Sequence, residues 1–253
     1  MSERRTATRA VPTLELILRG ILGLDKTMKS VITQNKLLEI YNIFLQEFGT
    51  RNWWPARTRF EVIVGAILTQ NTAWKNVEKA ILNLQKNRVL SFKGISDINE
   101  KNLAELVKPS GYFNQKAKKL KAFVKFATDE YNGSLYKMEK ENHRVLRDKL
   151  LGVYGIGNET ADSILLYAFQ KPVFVVDAYT QRIFSRHGFI PEKSSYNYTQ
   201  QFFKKNLPED ICLYNEYHAL IVCVGNRFCR SRPDCKQCPL RELSSNDKRQ
   251  SSK

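Results

Sequence analysis

Apolar residues recur every three or four positions along almost the whole chain from Met28 onward. The stretches "LLEIYNIFLQEF", "FEVIVGAILTQ", "VEKAILNL", "AKKLKAFVKFA", "VLRDKLL" and "ADSILLYAF" all follow that spacing. It puts the apolar side chains on one face of an α-helix. Strand-like alternation is scarce, and "PVFVVD" (Pro172 to Asp177) is too isolated to build a sheet. The pattern predicts an all-α protein of about ten short helices. With 253 residues, 42% of them hydrophobic and 11% aromatic, the chain can form one large or two small domains with a true core. Residues 1–27 are basic and mixed in character and read as a loosely attached extension, while 243–253 read as a flexible tail.

The formal net charge is +16. Such an excess speaks to partners more than to fold, because Lys and Arg neutralise phosphates and release counterions. Nucleic acid is the first candidate and an anionic membrane surface the second. A membrane span is not expected, since runs such as "VIVGAIL" and "ALIVCVG" fall far short of the ~20 residues a bilayer needs. "LELILRGILG" near the start contains Glu and Arg and does not read as a signal peptide. A reducing, cytoplasmic (nucleoid-associated) setting is therefore expected, in which the five cysteines are not a disulfide framework.

One stretch, "GVYGIGNETADSILLYAFQKPVFVVDAYT" (Gly152 to Thr180), concentrates the functional signal. Its glycines separate two helical patterns, so backbone N–H groups at the start of the second helix are left without helical partners. Those amides and the positive end of the helix dipole can take a DNA phosphate without reading sequence. A plain helix–helix turn that uses Gly for positive φ explains the same residues. Asp177 precedes the helical "AYTQRIFSRHG" and by itself reads as an N-cap.

Taken together, turn, helix, apolar run and capping acid resemble the helix-hairpin-helix DNA glycosylases of the endonuclease III superfamily. The resemblance runs from about Trp53 to Cys238, and within the family the 3-methyladenine DNA glycosylase III branch is the most similar. It implies two helical lobes with a DNA cleft between them. One lobe would span 53–169 and carry the hairpin; the other would combine 28–52 with 170–242 and end in a cysteine loop. It makes Asp177 the catalytic carboxylate and Glu159 the second catalytic position, with the separation the family shows between the two. "LTQNTAW" implies Gln70 as the residue that fills the gap left by an extruded base. "GYFNQKAKKL" implies Tyr112 as a second wedge, with Asn114 and Lys116 near the DNA backbone beside Gly155 and Gly157 of the hairpin. Trp53, Trp54, Pro55 and Trp74 would line the base pocket. One departure is Leu220, where the branch carries a lysine two positions after the histidine matching His218.

These parts answer a chemical need. A base inside a duplex must be extruded, at a cost of a few kcal/mol in stacking, and wedge residues offset that cost. Breaking the N-glycosidic bond develops positive charge on the deoxyribose, which a nearby carboxylate stabilises while orienting or deprotonating a water. Bifunctional family members place at position 159 a lysine, whose amine attacks the sugar; a glutamate forms no imine. The chain is thus expected to be monofunctional, releasing an alkylated purine such as 3-methyladenine from double-stranded DNA as a monomer. A bifunctional glycosylase/lyase for oxidised pyrimidines, a thymine or uracil mismatch glycosylase, and a non-catalytic DNA-binding module are the alternatives.

"CRSRPDCKQCPLRELS" resembles the family's iron–sulfur loop, but Cys229, Cys235 and Cys238 are separated by five and two residues and the expected fourth position holds Ser244. A [4Fe-4S] cluster takes four thiolates. Cys223, or less readily Cys212, is the candidate fourth ligand. A cluster with an unusual ligand, a loop without metal, and a zinc site all remain open at this level. Arg230, Arg232, Lys236 and Arg241 make the loop basic, as a DNA contact or as a solvated face. His143, His187 and His218 show no ligand spacing and read as solvated or core residues.

Overall fold

The computed structural model describes residues 14–243, with side chains from residue 31 onward. Every regular element among the described residues is helical. The first half holds α1 (Leu14–Phe48), α2 (Arg59–Leu68), α3 (Trp74–Lys86), α4 (Phe92–Asp97), α5 (Glu100–Val107) and α6 (Phe113–Tyr131). The second holds α7 (Leu135–Lys140), α8 (His143–Leu151), α9 (Asn158–Ser163), α10 (Ala178–Arg186), α11 (Tyr196–Asn206) and α12 (Ile211–Arg227). A π-helical turn, Ile164–Ala168, continues α9. Helix α1 runs unbroken through Met28, past the end of the extension read at residue 27. Residues 1–13, and all but the first residue of the 243–253 tail, lie outside the described residues. Among the described residues no helix is long and apolar enough to cross a membrane.

The helices start where short polar side chains can take the first free amides. Thr58 accepts from the Glu61 amide, Asn99 from Asn102, Asn142 from Arg144 and Asp210 from Leu213. Their apolar stripes then close two cores. One gathers Ile63, Val77, Leu103, Phe123 and Leu150 from α2 to α8. The other joins Phe44 of α1 to Phe184, Phe203, Tyr217 and Leu220 of α10 to α12.

The chain crosses between these cores in the segment that the sequence singled out. Leu165 belongs to the first core and Leu166 to the second; likewise Val173 to the first and Phe174 to Val176 to the second. "PVFVV" is apolar on both sides because it is buried on both sides, and it forms no strand. Its backbone polar groups are satisfied by side chains of α11 instead of a sheet ladder. Gln200 donates to the Phe174 carbonyl (2.8 Å), and the Val176 amide donates to the Tyr196 hydroxyl (3.4 Å).

Both residues also reach Asp162, which is fully buried on α9. The Asp162 carboxylate accepts from Arg147 Nε (2.7 Å) and Nη2 (3.0 Å), the Tyr196 hydroxyl (2.7 Å) and Gln200 Nε2 (2.7 Å). One buried charge, fully paired, therefore ties α8, α9 and α11 to the segment that leads into Asp177.

Candidate active site

The hairpin between α8 and α9 turns at Gly152 to Gly157, anchored from below by buried Val153 and Ile156. Gly155 is required twice over. Its φ is +79°, and a Cβ there would stand 2.3 Å from Cγ of Lys119. Replacing Gly155 by Ala is expected to cost about 1–2 kcal/mol, read as a fall of a few degrees in Tm together with weaker DNA binding. Gly157, the N-cap of α9, is exposed, and a Cβ on it would meet nothing within 4 Å, so its face is open to a ligand.

Gln70 reaches the hairpin from the end of α2. Its Nε2 donates to the Gly155 carbonyl (3.0 Å) and to Thr160 Oγ1 (2.8 Å), and its Oε1 accepts from Lys119 Nζ at 2.5 Å. The amide expected to wedge into DNA is thus engaged with the turn in this state. It borders a cleft of about 290 Å³ that Tyr112, Gln115 and Tyr154 also line. Tyr112 is 72% exposed and held in the left-handed region at the start of α6. Asn114 is exposed two residues on.

Lys116 corrects the sequence expectation. It is 1% exposed and donates to the carbonyls of Leu68 (2.8 Å) and Ser110 (2.6 Å). Desolvation first, and Lys119 second, push its pKa down to about 8. Its ammonium is engaged by two carbonyls inside the bundle instead of standing free for a phosphate, although the residue borders the same cleft as Lys119.

Asp177 caps α10. Its Oδ1 accepts from the Thr180 amide (2.7 Å) and hydroxyl (2.8 Å), and the Asp177 amide faces that hydroxyl in turn, a reciprocal capping box. Its Oδ2 stands 3.6 Å from Nε2 of His218, an ion-pair distance just beyond a hydrogen bond. Burial pushes the carboxyl upward, but the His218 contact and charge and the Thr180 hydrogen bonds outweigh it, so the pKa is held below the usual value. Asp177 is buried, with 8% of its surface exposed.

Glu159, in the first turn of α9, moves the opposite way. Desolvation at the cleft wall, then the Asp177 charge, push its pKa up to about 7, with His218 pulling it down. The residue as a whole is exposed, so water screens part of this effect. Two carboxyls whose surroundings drive them apart form a natural division between a charged and a protonated partner.

The aromatic cage stands on this site's flank. Trp74 lies edge-on to Trp53 (5.4 Å between centroids) and to Trp54 (5.1 Å), while Trp53 and Trp54 are 5.5 Å apart. All three are half-buried, whereas Pro55 is exposed and shows no ring contact with them. The Trp54 ring meets Tyr167 at 5.1 Å, and the Tyr167 hydroxyl is 2.5 Å from Nδ1 of His218. An unbroken chain of contacts thus joins the tryptophan cage to the carboxylate of Asp177.

Comparison with known proteins agrees with this geometry. Residues 64–209 match the model of the HhH-GPD superfamily, described as base excision DNA repair proteins. The chain belongs to that superfamily. It is similar, at 50% identity over 209 residues, to a Methanocaldococcus jannaschii protein provisionally named DNA repair glycosylase MJ1434, covering 82% of this chain and 94% of that one. The endonuclease III of Thermotoga maritima is 29% identical over 183 residues, or 72% of this chain and 80% of that one. Among solved structures, the Helicobacter pylori 3-methyladenine DNA glycosylase (MagIII) bound to 1,N6-ethenoadenine superposes with a TM-score of 0.66 at 30% identity. It covers 78% of this chain and 97% of that one. This HhH-GPD chain is a DNA glycosylase, with the hairpin and Asp177 at the junction of its two cores.

The cysteine loop does not match the cluster expectation. Cys229 and Cys238 are buried, Cys235 is exposed, and their charges are close enough to act on one another. Yet among the described residues no three His, Cys, Asp or Glu side chains converge as a metal centre requires. Cys223 is half-buried on α12, where burial raises its thiol pKa, and it does not join the loop thiols in a ligand group among the described residues. Cys212 is exposed elsewhere on α12, and Ser244 lies outside the described residues. The described side chains do not fit a four-thiolate cluster. The loop is braced from α10, where Arg182 Nε donates to the Cys229 carbonyl (2.6 Å) and Arg186 Nη1 to Cys229 Sγ (3.2 Å) and the Arg230 carbonyl (2.8 Å). Arg230, Arg232, Lys236 and Arg241 are all exposed around it.

Sequence reasoning gave His218 a solvated or core role and did not single out Tyr167. Both sit in apolar helical stretches, and only the fold brings them beside Asp177. Leu220, on the same helix, is fully buried, so no cation occupies that position.

Proposed function

We propose that this glycosylase is monofunctional and hydrolyses the N-glycosidic bond of an alkylated purine flipped out of duplex DNA, acting as a monomer. The contact chain from Trp54 through Tyr167 and His218 to Asp177 carries this reading, because it couples an electron-rich cage to a single low-pKa carboxylate. A purine alkylated on a ring nitrogen is cationic, so indole faces attract it by about 1–2 kcal/mol once desolvated. Such a base leaves with little acid assistance, and the main demand on the protein is a negative charge beside the forming oxocarbenium ion. Asp177 supplies it. The upward shift of Glu159 favours its protonated form, which lessens the repulsion between the two carboxylates and leaves Asp177 as the main charge.

Tyr112 and Gln70 border the cleft where a vacated base site would sit, and Gln70 would exchange its hairpin hydrogen bonds for contacts with the orphaned strand. The similarity to the MagIII structure supports the alkylated-purine class.

Glu159 stands where a lyase needs an amine. Incubating the protein with duplexes bearing alkylated, oxidised or mismatched bases should give alkali-labile sites on the alkylated duplex. Borohydride should trap no covalent protein–DNA adduct on any of them. A trapped adduct with cleavage before alkali would show a bifunctional enzyme instead.

A further inference from the structure

The contact chain to Asp177 runs through two buried residues, Tyr167 and His218, to which no step of the hydrolysis has yet been assigned. His218 is 6% exposed on α12, and its Nε2 has no hydrogen-bond partner. That nitrogen points at Asp177 Oδ2 across 3.6 Å, and the other ring nitrogen is held by the Tyr167 hydroxyl at 2.5 Å. Tyr167 itself belongs to the π-helical turn, a helix irregularity frequent at functional sites, and its ring packs on Trp54 of the cage.

We propose that Tyr167 and His218 are a positioning pair: Tyr167 fixes the imidazole so that an Nε2–H always faces Asp177, and the tryptophan cage and the carboxylate thereby move as one unit. The inference rests on Asp177 being the catalytic carboxylate. Its logic follows from proton inventory. In the neutral imidazole the facing Asp177 carboxylate favours the tautomer with the proton on Nε2, and the Tyr167 hydroxyl then donates to Nδ1; if the ring is charged, Nδ1–H donates to the tyrosine oxygen and Nε2–H remains. Both states give Asp177 Oδ2 a donor. The capping hydrogen bonds of Thr180 hold Oδ1, and the imidazole faces Oδ2 at 3.6 Å, so Oδ2 keeps lone pairs for the substrate.

The other titratable or charged groups around the pair are Glu159 on α9, Tyr179 and Arg182 on α10 and Glu216 on α12. None of them is among the hydrogen-bond partners of the Asp177 side chain, which are confined to Thr180 among the described contacts. The sign of the effect is fixed. Removing the His218 donor and its charge weakens the force that holds Asp177 below its usual pKa. The acid limb of the rate profile, where activity is lost as Asp177 takes a proton, then moves to higher pH. Losing the Tyr167 hydroxyl acts in the same direction, because the imidazolium loses its acceptor.

Two measurements test the pair on the full chain. The protein has three histidines, so imidazole ¹⁵N labelling gives a simple spectrum, in which His218→Gln identifies the His218 signals. The expected wild-type state carries a proton on Nε2 at every pH studied, and Tyr167→Phe should let it redistribute toward Nδ1. A wild-type His218 protonated on Nδ1 alone overturns the proposal. The second measurement is single-turnover base release from a methylated duplex across pH. Tyr167→Phe keeps the ring on Trp54, so the half-saturating DNA concentration should hold while the rate falls roughly tenfold or more. Its acid limb should rise, and His218→Gln should move it further, by about one pH unit or more. Profiles of both variants that overlay the wild type overturn the pair while leaving the role of Asp177 intact. An Asp177→Asn variant that still releases base overturns both. A wild type inactive on this duplex leaves the decision to the tautomer spectrum.

Discussion

Replacing Asp177 by asparagine is expected to slow base release about a thousandfold or more, some 4 kcal/mol of lost transition-state stabilisation, with affinity for duplex DNA changed by no more than about twofold. Asparagine is as good an N-cap as aspartate, and its side-chain oxygen can still accept from the Thr180 amide. The helix start, the fold and the hairpin's phosphate contacts should therefore survive. What is removed is the negative charge that stabilises a cationic sugar. A capping residue without chemistry would show the converse: base release within a few-fold of wild type. Gel-shift affinity and single-turnover release on one damaged duplex, read side by side, separate the two roles.

Truncating Asp162 to alanine should be the most damaging change to stability. Its carboxylate accepts four hydrogen bonds at zero exposure, and loss of one member of a buried pair leaves the other charge uncompensated. The cost is expected to be about 3–5 kcal/mol, lowering Tm by about 10 °C in a chain of this size. The damage should be directional as well. Arg147 also holds Asn158 at the start of α9 (3.0 Å), and Gln200 and Tyr196 also hold the segment before Asp177. Hydrogen exchange should therefore rise first in the hairpin and in residues 173–177, with the amides of α3 and α5 following only on global unfolding. Uniform protection loss would show that the network is one more core contact and not the tie that registers hairpin against acid.

Much of this architecture could be read from the chain because its signals are local. Helical spacing of apolar residues marks the helices, short polar residues mark their starts, and glycines with Asp177 mark the turn and the cap. Lys116 was misplaced although a signal was present: Lys116, Leu120, Phe123 and Ala127 share one helical face, and that face is the buried one. The resemblance of "GYFNQKAKKL" to a wedge loop implied a cation near the DNA backbone instead. Asp162, Tyr167 and His218 left no such trace. Each lies in an apolar stretch, and its meaning comes from partners brought close only by the crossing between two cores. The cysteine loop shows the reverse case, in which a motif resemblance implied a ligand set that the described side chains do not assemble.

The most direct measurement is a crystal structure of the Asp177→Asn variant bound to a duplex carrying a single alkylated purine. The expected result has that nucleotide rotated out of the helix, its base among Trp53, Trp54 and Trp74, and its C1′ carbon against the residue-177 side chain, with Tyr112 at the gap. A base still stacked in the duplex, or a sugar held away from residue 177 with the tryptophans empty, would contradict the account.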